Sequence, residues 1–300
     1  MQPFDPKVMV NLFPGTSYDT HPHKPDLLSR LFPSATFYAR VFLRCTRWLA
    51  SYYKKHGPLP QAWAYGSSWG LQEMERTGLR LHVDGLEHID GVKGPCVIVS
   101  NHMSTLETYL LPAMLRPRRQ LTFVVKRSLV SMPGFGIIMR AANPVVVNRT
   151  SPREDLATIM EEGCKRLANG VSVVVFPQAT RRRWIVDSQF NTIGAKLAKK
   201  AGVPMVPLAV KTDAWGIGGL VKELGPINVK SEALMRFFPP LYIRGSGHAE
   251  HKACREVIHR TFDWWQTRQN AIDQGQPALP YTDPGFVLPE IFGRKAEGQA

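Results

Sequence analysis

The run Asn101-His102-Met103-Ser104-Thr105-Leu106-Glu107 sets an imidazole and a carboxylate five positions apart, directly after the strand-like stretch Cys96 to Ser100. A histidine with one ring nitrogen held by a carboxylate keeps the other free to accept a hydroxyl proton, and its unperturbed pKa of about 6.5 suits that exchange near neutral pH. Roughly one and a half helical turns separate the pair. Contact therefore requires His102 just before a helix and Glu107 inside it, reaching back. The carboxylate would then fix the imidazole tautomer and stabilise the imidazolium. In open α/β sheets ligands bind beyond the carboxyl ends of strands, and a helix starting there offers N–H groups to an anion. A histidine beside a glutamate is also a common structural pair, so the surrounding sequence must decide.

Elements able to position such a pair are legible from Leu79 onward. Strand-like runs at Leu79 to Val83, Cys96 to Ser100, Leu121 to Val125, Val145 to Asn148, Val171 to Phe176, Met205 to Lys211 and Leu241 to Arg244 alternate with helix-like stretches. That alternation predicts an α/β fold with a mixed, largely parallel sheet flanked by helices. The clearest helix is Pro152 to Asn169, with Ser151 and Glu154 as a capping box, proline first and Gly170 as the stop. Others are expected at Thr192 to Ala201 and along the face Cys254, Val257, Ile258, Phe262 and Trp265.

N-terminal to this core, residues 1 to about 33 read as an irregular arm. Thr36 to Lys55 then reads as a basic, aromatic-rich amphipathic helix, carrying Arg40, Arg44, Arg47 and Lys54 against Phe37, Val41, Trp48, Leu49, Tyr52 and Tyr53. Such a helix can lie in a bilayer interface or pack on its own domain, and pattern alone does not separate the two. A Gly, Pro and Ser segment at 57 to 70 separates it from the sheet. Three regions are expected: 1–76 with the amphipathic helical region, 77–270 as the catalytic domain, and 271–300 as a tail laid over the surface or disordered.

Composition narrows the partners. With 38 Lys plus Arg against 24 Asp plus Glu, the formal charge is +14 and the chain attracts anions. Cys45, Cys96, Cys164 and Cys254 form no C-x-x-C pair, which argues for reduced thiols and against a zinc site. His21, His23, His248 and His251 are expected to be solvent-exposed rather than metal ligands. Gly134-Phe135-Gly136 lacks the third glycine of a dinucleotide fingerprint, and with Pro133 predicts a tight turn. No secretory signal or membrane-spanning run is visible, so neither export nor insertion is expected.

The blocks taken in order resemble a known family, the glycerolipid acyltransferases with a His-x4-Asp motif, of lysophosphatidic acid acyltransferase type. Residues 101–107 resemble its first block, with Glu107 where Asp is usual. Residues 126–149 resemble the second, with Lys126, Pro133, Gly136 and Arg149 at matching positions. Residues 175–181 resemble the third, Phe-Pro-Glu-Gly-Thr-Arg, and 203–210 the fourth.

The resemblance implies acyl transfer from acyl-CoA or acyl carrier protein to the free hydroxyl of a lysophospholipid, with His102 as general base oriented by Glu107. It implies that Lys126, Arg149, Thr180 and Arg181 bind substrate, with Arg149, Arg181 and Lys126 holding the acceptor's phosphate. Transfer from a thioester needs no metal or other cofactor, only a placed hydroxyl, a base and charge stabilisation. The expected partners are a membrane lipid surface, the acyl donor and the lysophospholipid, and the expected location is the cytoplasmic face of a membrane, held peripherally. Gln178 and Ala179 depart from the third block's Glu and Gly, which leaves the acceptor headgroup open. A basic binding module for membrane or nucleic acid, or an inactive homologue, are the competing readings. No nucleic-acid motif is present, so nucleic acid is not an expected partner.

Overall fold

The structure is a computed structural model that describes residues 3–21, 24–133, 135–178, 180–219 and 221–293. Its N-terminal part contains a two-residue strand, β1 (Tyr18–Asp19), and the helices α1 (Leu27–Leu31), α2 (Pro33–Arg40), α3 (Arg47–His56) and α4 (Pro60–Arg76). The sheet region follows as β2 (Leu81–Asp84), α5 (Leu86–Asp90), β3 (Val97–Ser100), α6 (Leu106–Leu115), β4 (Leu121–Lys126), α7 (Arg127–Val130), α8 (Gly136–Ala141) and β5 (Val145–Val147). It continues through α9 (Pro152–Ala168), β6 (Ser172–Val175), α10 (Ile193–Ala201), β7 (Met205–Lys211), β8 (Ala233–Phe237) and α11 (His248–Asp273).

The strands form one eight-stranded sheet in the order β1-β2-β8-β7-β3-β6-β4-β5. Pairing is parallel except where β1 meets β2 and β7 meets β8. The central strands β3, β6 and β7 are buried along their whole length, so their sequences, VIVS, SVVV and MVPLAVK, carry almost no polar alternation. Their carboxyl ends share one edge. Asn101, just past β3, clips that edge by donating to the carbonyl of Val210 at 2.7 Å and accepting its N–H at 2.9 Å.

Helix ends follow the sequence signals. The Ser151 side chain accepts from the Glu154 N–H with Pro152 opening α9, and Gly202, left-handed at φ 66°, closes α10. The apolar face of α11 is buried through Cys254, Val257, Ile258, Phe262 and Trp265.

Several expectations are corrected. The 57–70 segment is not a linker but most of α4, with Pro60 in its first turn. Its small residues are there because α4 and α6 pack closely: a Cβ at Gly70 would strike the Tyr109 ring, and Ser67 donates to the Tyr109 carbonyl while accepting the Ala113 N–H at 3.2 Å. The strand expected at Leu241 to Arg244 is reduced to a single bridge between Leu241 and Met205. The edge partner of β7 is instead β8, whose ALMRF lacks the β-branched residues that signal a strand. The arm holds β1 and α1. His251 is buried rather than exposed, and burial, with Arg255 and His248 nearby, lowers its pKa.

The Thr36 to Lys55 helix is interrupted by a π-helical turn at Val41–Thr46, and its aromatic face turns inward. Trp48 and Tyr52 stack on each other with Phe4 against both, and Phe37, Leu49 and Tyr53 are buried. The exposed large apolar residues here are Leu27, Leu28, Leu31, Phe32 and Leu43. Part of the tail lies on the surface: the Trp264 and Trp265 indoles donate to the carbonyls of Pro280 and Tyr281, each at 2.8 Å. Its residues 294–300 lie outside the described residues, as do His23 and Gly134. No helix among the described residues is long and apolar enough to cross a membrane.

Candidate active site

His102 leaves β3 at the shared carboxyl edge, and Glu107 sits in the first turn of α6. The imidazole Nδ1 and Glu107 Oε1 are 2.7 Å apart. Glu107 is fully buried, whereas the His102 side chain keeps 18% exposure. Phe176, from the segment after β6, stacks on the ring at 4.2 Å between centroids, and the Arg182 N–H donates to the His102 carbonyl at 2.8 Å.

A buried carboxylate is stable as an anion only when its oxygens are satisfied. Here the Met103 and Ser104 N–H groups donate to Oε1 at 2.8 and 3.0 Å, and the Ser104 and Thr212 hydroxyls donate to Oε2 at 3.0 and 2.6 Å. Burial pushes the Glu107 carboxyl up, but the bonds from His102, Thr212 and Ser104 outweigh it and hold the group below its ordinary 4.5. Being ionised, Glu107 can only accept, so the Nδ1 that faces it carries a proton. The Met103 and Ser104 amides are therefore committed to Glu107 rather than free for an anion. The Leu106 N–H is likewise taken, by Ser104 Oγ at 3.0 Å.

Arg181 reaches the same region by donating to Thr105 Oγ1 at 2.8 Å, and it also pairs with Glu223 at 2.7 Å. Thr180 is exposed beside it, its N–H donating to the Gln178 carbonyl at 2.7 Å. Lys126 ends β4 and Arg149 follows β5, so both lie on the edge that carries His102, two and three strands away in the sheet order. Among the described residues neither is hydrogen-bonded to His102 or Glu107. Arg149 holds a left-handed backbone at φ 64°, with Asp155 accepting the N–H groups of Asn148 and Arg149 at 3.0 Å. Partial burial lowers the Arg149 pKa, against the opposing pull of Asp155.

Gln178 is buried, its Nε2 donating to the Trp184 carbonyl at 3.1 Å. Its neutrality thus answers to a backbone carbonyl, which a carboxylate could not serve. Ala179 lies outside the described residues. Ser104, Thr212 and Phe176 were not singled out from sequence. Ser104 stands inside the first block and Phe176 inside the third, whereas Thr212 has no local signal. Two surface concavities, each about 590 Å3, lie elsewhere, one along α11 beside Lys252, Arg255 and His259 and one beside Arg80 and Lys230. They share no residue with the His102 site. Among the described residues no cluster of His, Cys, Asp or Glu is arranged to hold a metal ion.

Residues 80–211 match the family model described as Acyltransferase. The chain is 30% identical over 228 residues to a 1-acyl-sn-glycerol-3-phosphate acyltransferase of Pseudomonas aeruginosa, covering 76% of this chain and 82% of that one. It is 28% identical over 190 residues to the human 1-acyl-sn-glycerol-3-phosphate acyltransferase beta, covering 61% of this chain and 67% of that one. A chloroplastic relative from Brassica napus is matched over only 36% of its length. In fold, the chain is similar to the crystal structure of the 1-acyl-sn-glycerophosphate acyltransferase of Thermotoga maritima, with a TM-score of 0.59 at 19% identity, over 80% of this chain and 98% of that one. The order of the blocks, the sheet edge that carries them and these likenesses agree: the chain belongs to the acyltransferase family that includes the 1-acyl-sn-glycerol-3-phosphate acyltransferases.

Proposed function

We propose that this acyltransferase moves a fatty acyl group from acyl-CoA or acyl carrier protein to the free hydroxyl of a 1-acylglycerol 3-phosphate or closely related lysophospholipid. The observation that carries the reading is the 2.7 Å contact of His102 Nδ1 with a fully buried Glu107 while the ring stays partly exposed. His102 Nε2 takes the hydroxyl proton as the acceptor oxygen attacks the thioester carbonyl. The tetrahedral intermediate collapses with cleavage of the C–S bond, and the imidazolium returns the proton to the departing thiolate. Glu107 stabilises the imidazolium throughout. No step calls for a metal or a resident cofactor.

Lys126, Arg149, Thr180 and Arg181 are the residues we assign to the acceptor's phosphate, for which guanidinium forks are well shaped. Arg149's left-handed backbone supports a positioned role, since a non-glycine residue holds that conformation at a cost. For the membrane contact we favour the exposed α1 residues Leu27, Leu28, Leu31 and Phe32, with Arg30 among them, over the aromatic face of α3, which is spent on internal packing. Peripheral attachment at the cytoplasmic face follows, because the donor and the acceptor hydroxyl must meet at one lipid surface.

The test is transfer from labelled acyl-CoA and acyl carrier protein to a panel of lysolipids differing in headgroup. Lysophosphatidate should be preferred, His102→Ala should lose at least about a hundredfold, and Glu107→Gln, which removes the charge that stabilises the imidazolium, should also lose activity. Wild-type rates in His102→Ala would end the proposal.

A further inference from the structure

Arg181, assigned above to the acceptor's phosphate, already holds an anion from its own chain. Its Nη2 donates to Glu223 Oε1 at 2.7 Å, and its Nη1 donates to Thr105 Oγ1 at 2.8 Å and to the Lys222 carbonyl at 3.3 Å. The pair is largely shielded, with side-chain exposures of 15% and 22%. Glu223 belongs to a hairpin-like segment whose base is the bridge between Trp215 and Ile227. The segment's outer surface is apolar: Ile217, Val221 and Leu224 are exposed at 39%, 45% and 49%. Exposed Lys222 sits between the last two.

That segment is tied to the N-terminal helices. Tyr38 of α2 donates to the Gly225 carbonyl at 2.5 Å, the Ile227 N–H donates to Ser34 Oγ at 3.0 Å, and the buried Trp215 indole packs on Phe37 while donating to the Glu223 carbonyl at 3.0 Å. Through α2 the segment joins the apolar and basic α1 surface. The lipid-suited residues on both sides of Glu223 are thus mechanically continuous with the carboxylate on Arg181.

We propose that the Glu223 carboxylate stands in for the acceptor's phosphate on Arg181 in the free protein, and that contact of Val221 and Leu224 with an anionic lipid surface withdraws it. The inference rests on the reading of Arg181 as a phosphate ligand. A carboxylate and a phosphate compete for the same guanidinium fork, so acceptor affinity is reduced by the fraction of molecules in which Glu223 is engaged. The positive charge of Lys222, flanked by apolar side chains, suits the headgroup region of such a surface. The enzyme would then bind its acceptor tightly only where acceptor is found, in a membrane.

Two measurements test this. In the first, the Kd of a short-chain lysophosphatidate kept below its micellar concentration is measured for the wild type and for Glu223→Gln, Glu223→Asp and Arg181→Lys. Glu223→Gln should bind at least about threefold tighter than the wild type, and Glu223→Asp should stay near it. In the second, KM is measured with lysophosphatidate carried in vesicles of phosphatidylcholine and phosphatidylglycerol, where the wild type and Glu223→Gln should be alike because lipid has already released the carboxylate. Dispersed binding by Glu223→Gln that is no tighter than wild type, or undetectable in both, overturns the proposal. So does a vesicle KM that differs between the two as much as the dispersed Kd. If instead Arg181→Lys binds dispersed acceptor as the wild type does, the phosphate role of Arg181 is what fails, and the inference falls with it.

Discussion

The hydroxyl of Thr212, just past β7, donates to Oε2 of Glu107 at 2.6 Å across 105 residues of sequence. It ties the far side of the carboxylate to the sheet edge, leaving Oε1 for His102. Replacing it with valine keeps the shape and removes the donor, which costs about 1–3 kcal/mol when a buried charged acceptor is left short of a partner. Thr212→Val should therefore lower kcat by about fivefold to a hundred-and-fiftyfold with KM for the acceptor little changed. Thr212→Ser should recover most of the rate. Parallel kinetics of the two variants check this, and equal rates for valine and wild type would remove Thr212 from the site.

The same carboxylate gives the protein a pH dependence of stability. Glu107's native pKa is depressed below 4.5, so the folded state releases this proton more readily than the unfolded chain does. The stabilisation is complete above about 4.5 and is lost as pH falls from there through the lower native value. Glu107→Gln has nothing to titrate, so its unfolding free energy should fall less steeply between about pH 5 and pH 3. Denaturant unfolding at several pH values compares the slopes, and identical slopes would contradict the assignment.

Gln178 makes a prediction opposite to the one its departure from the family pattern suggests. Its amide donates to the Trp184 carbonyl from a buried position, and a carboxylate there would set acceptor against acceptor. Gln178→Glu should destabilise the protein by about 1–3 kcal/mol, more at pH 8 than at pH 5, where the new acid can hold a proton and donate. Thermal unfolding at the two pH values reads this directly, and the headgroup preference should stay as in the wild type.

Close packing of α4 on α6 predicts that Gly70→Ala forces the Tyr109 ring to move, since the added Cβ would occupy its place. Overpacking of this kind costs about 1–3 kcal/mol. A Tm unchanged within a degree or so would show that the two helices can separate freely.

The sequence determined most of the sheet strands, though not β1 or β8, together with most helix ends and the pairing of His102 with Glu107, because these depend on local chemistry. VIVS and SVVV are short, β-branched apolar runs and form buried strands, Ser151 and Pro152 start α9, and His102 meets Glu107 across the start of α6. Block order likewise pointed to the family. What the sequence could not determine depends on residues far apart in the chain becoming neighbours. Thr212 reaches Glu107 only because β7 lies beside β3, and Trp48 and Tyr52 face inward only because Phe4 and Tyr65 come to meet them. The small residues of α4 mark a helix contact rather than a linker only once Tyr109 is seen against Gly70. Amphipathic pattern records that a face is apolar. It carries no record of what covers that face, and only tertiary packing decides whether the cover is protein or lipid.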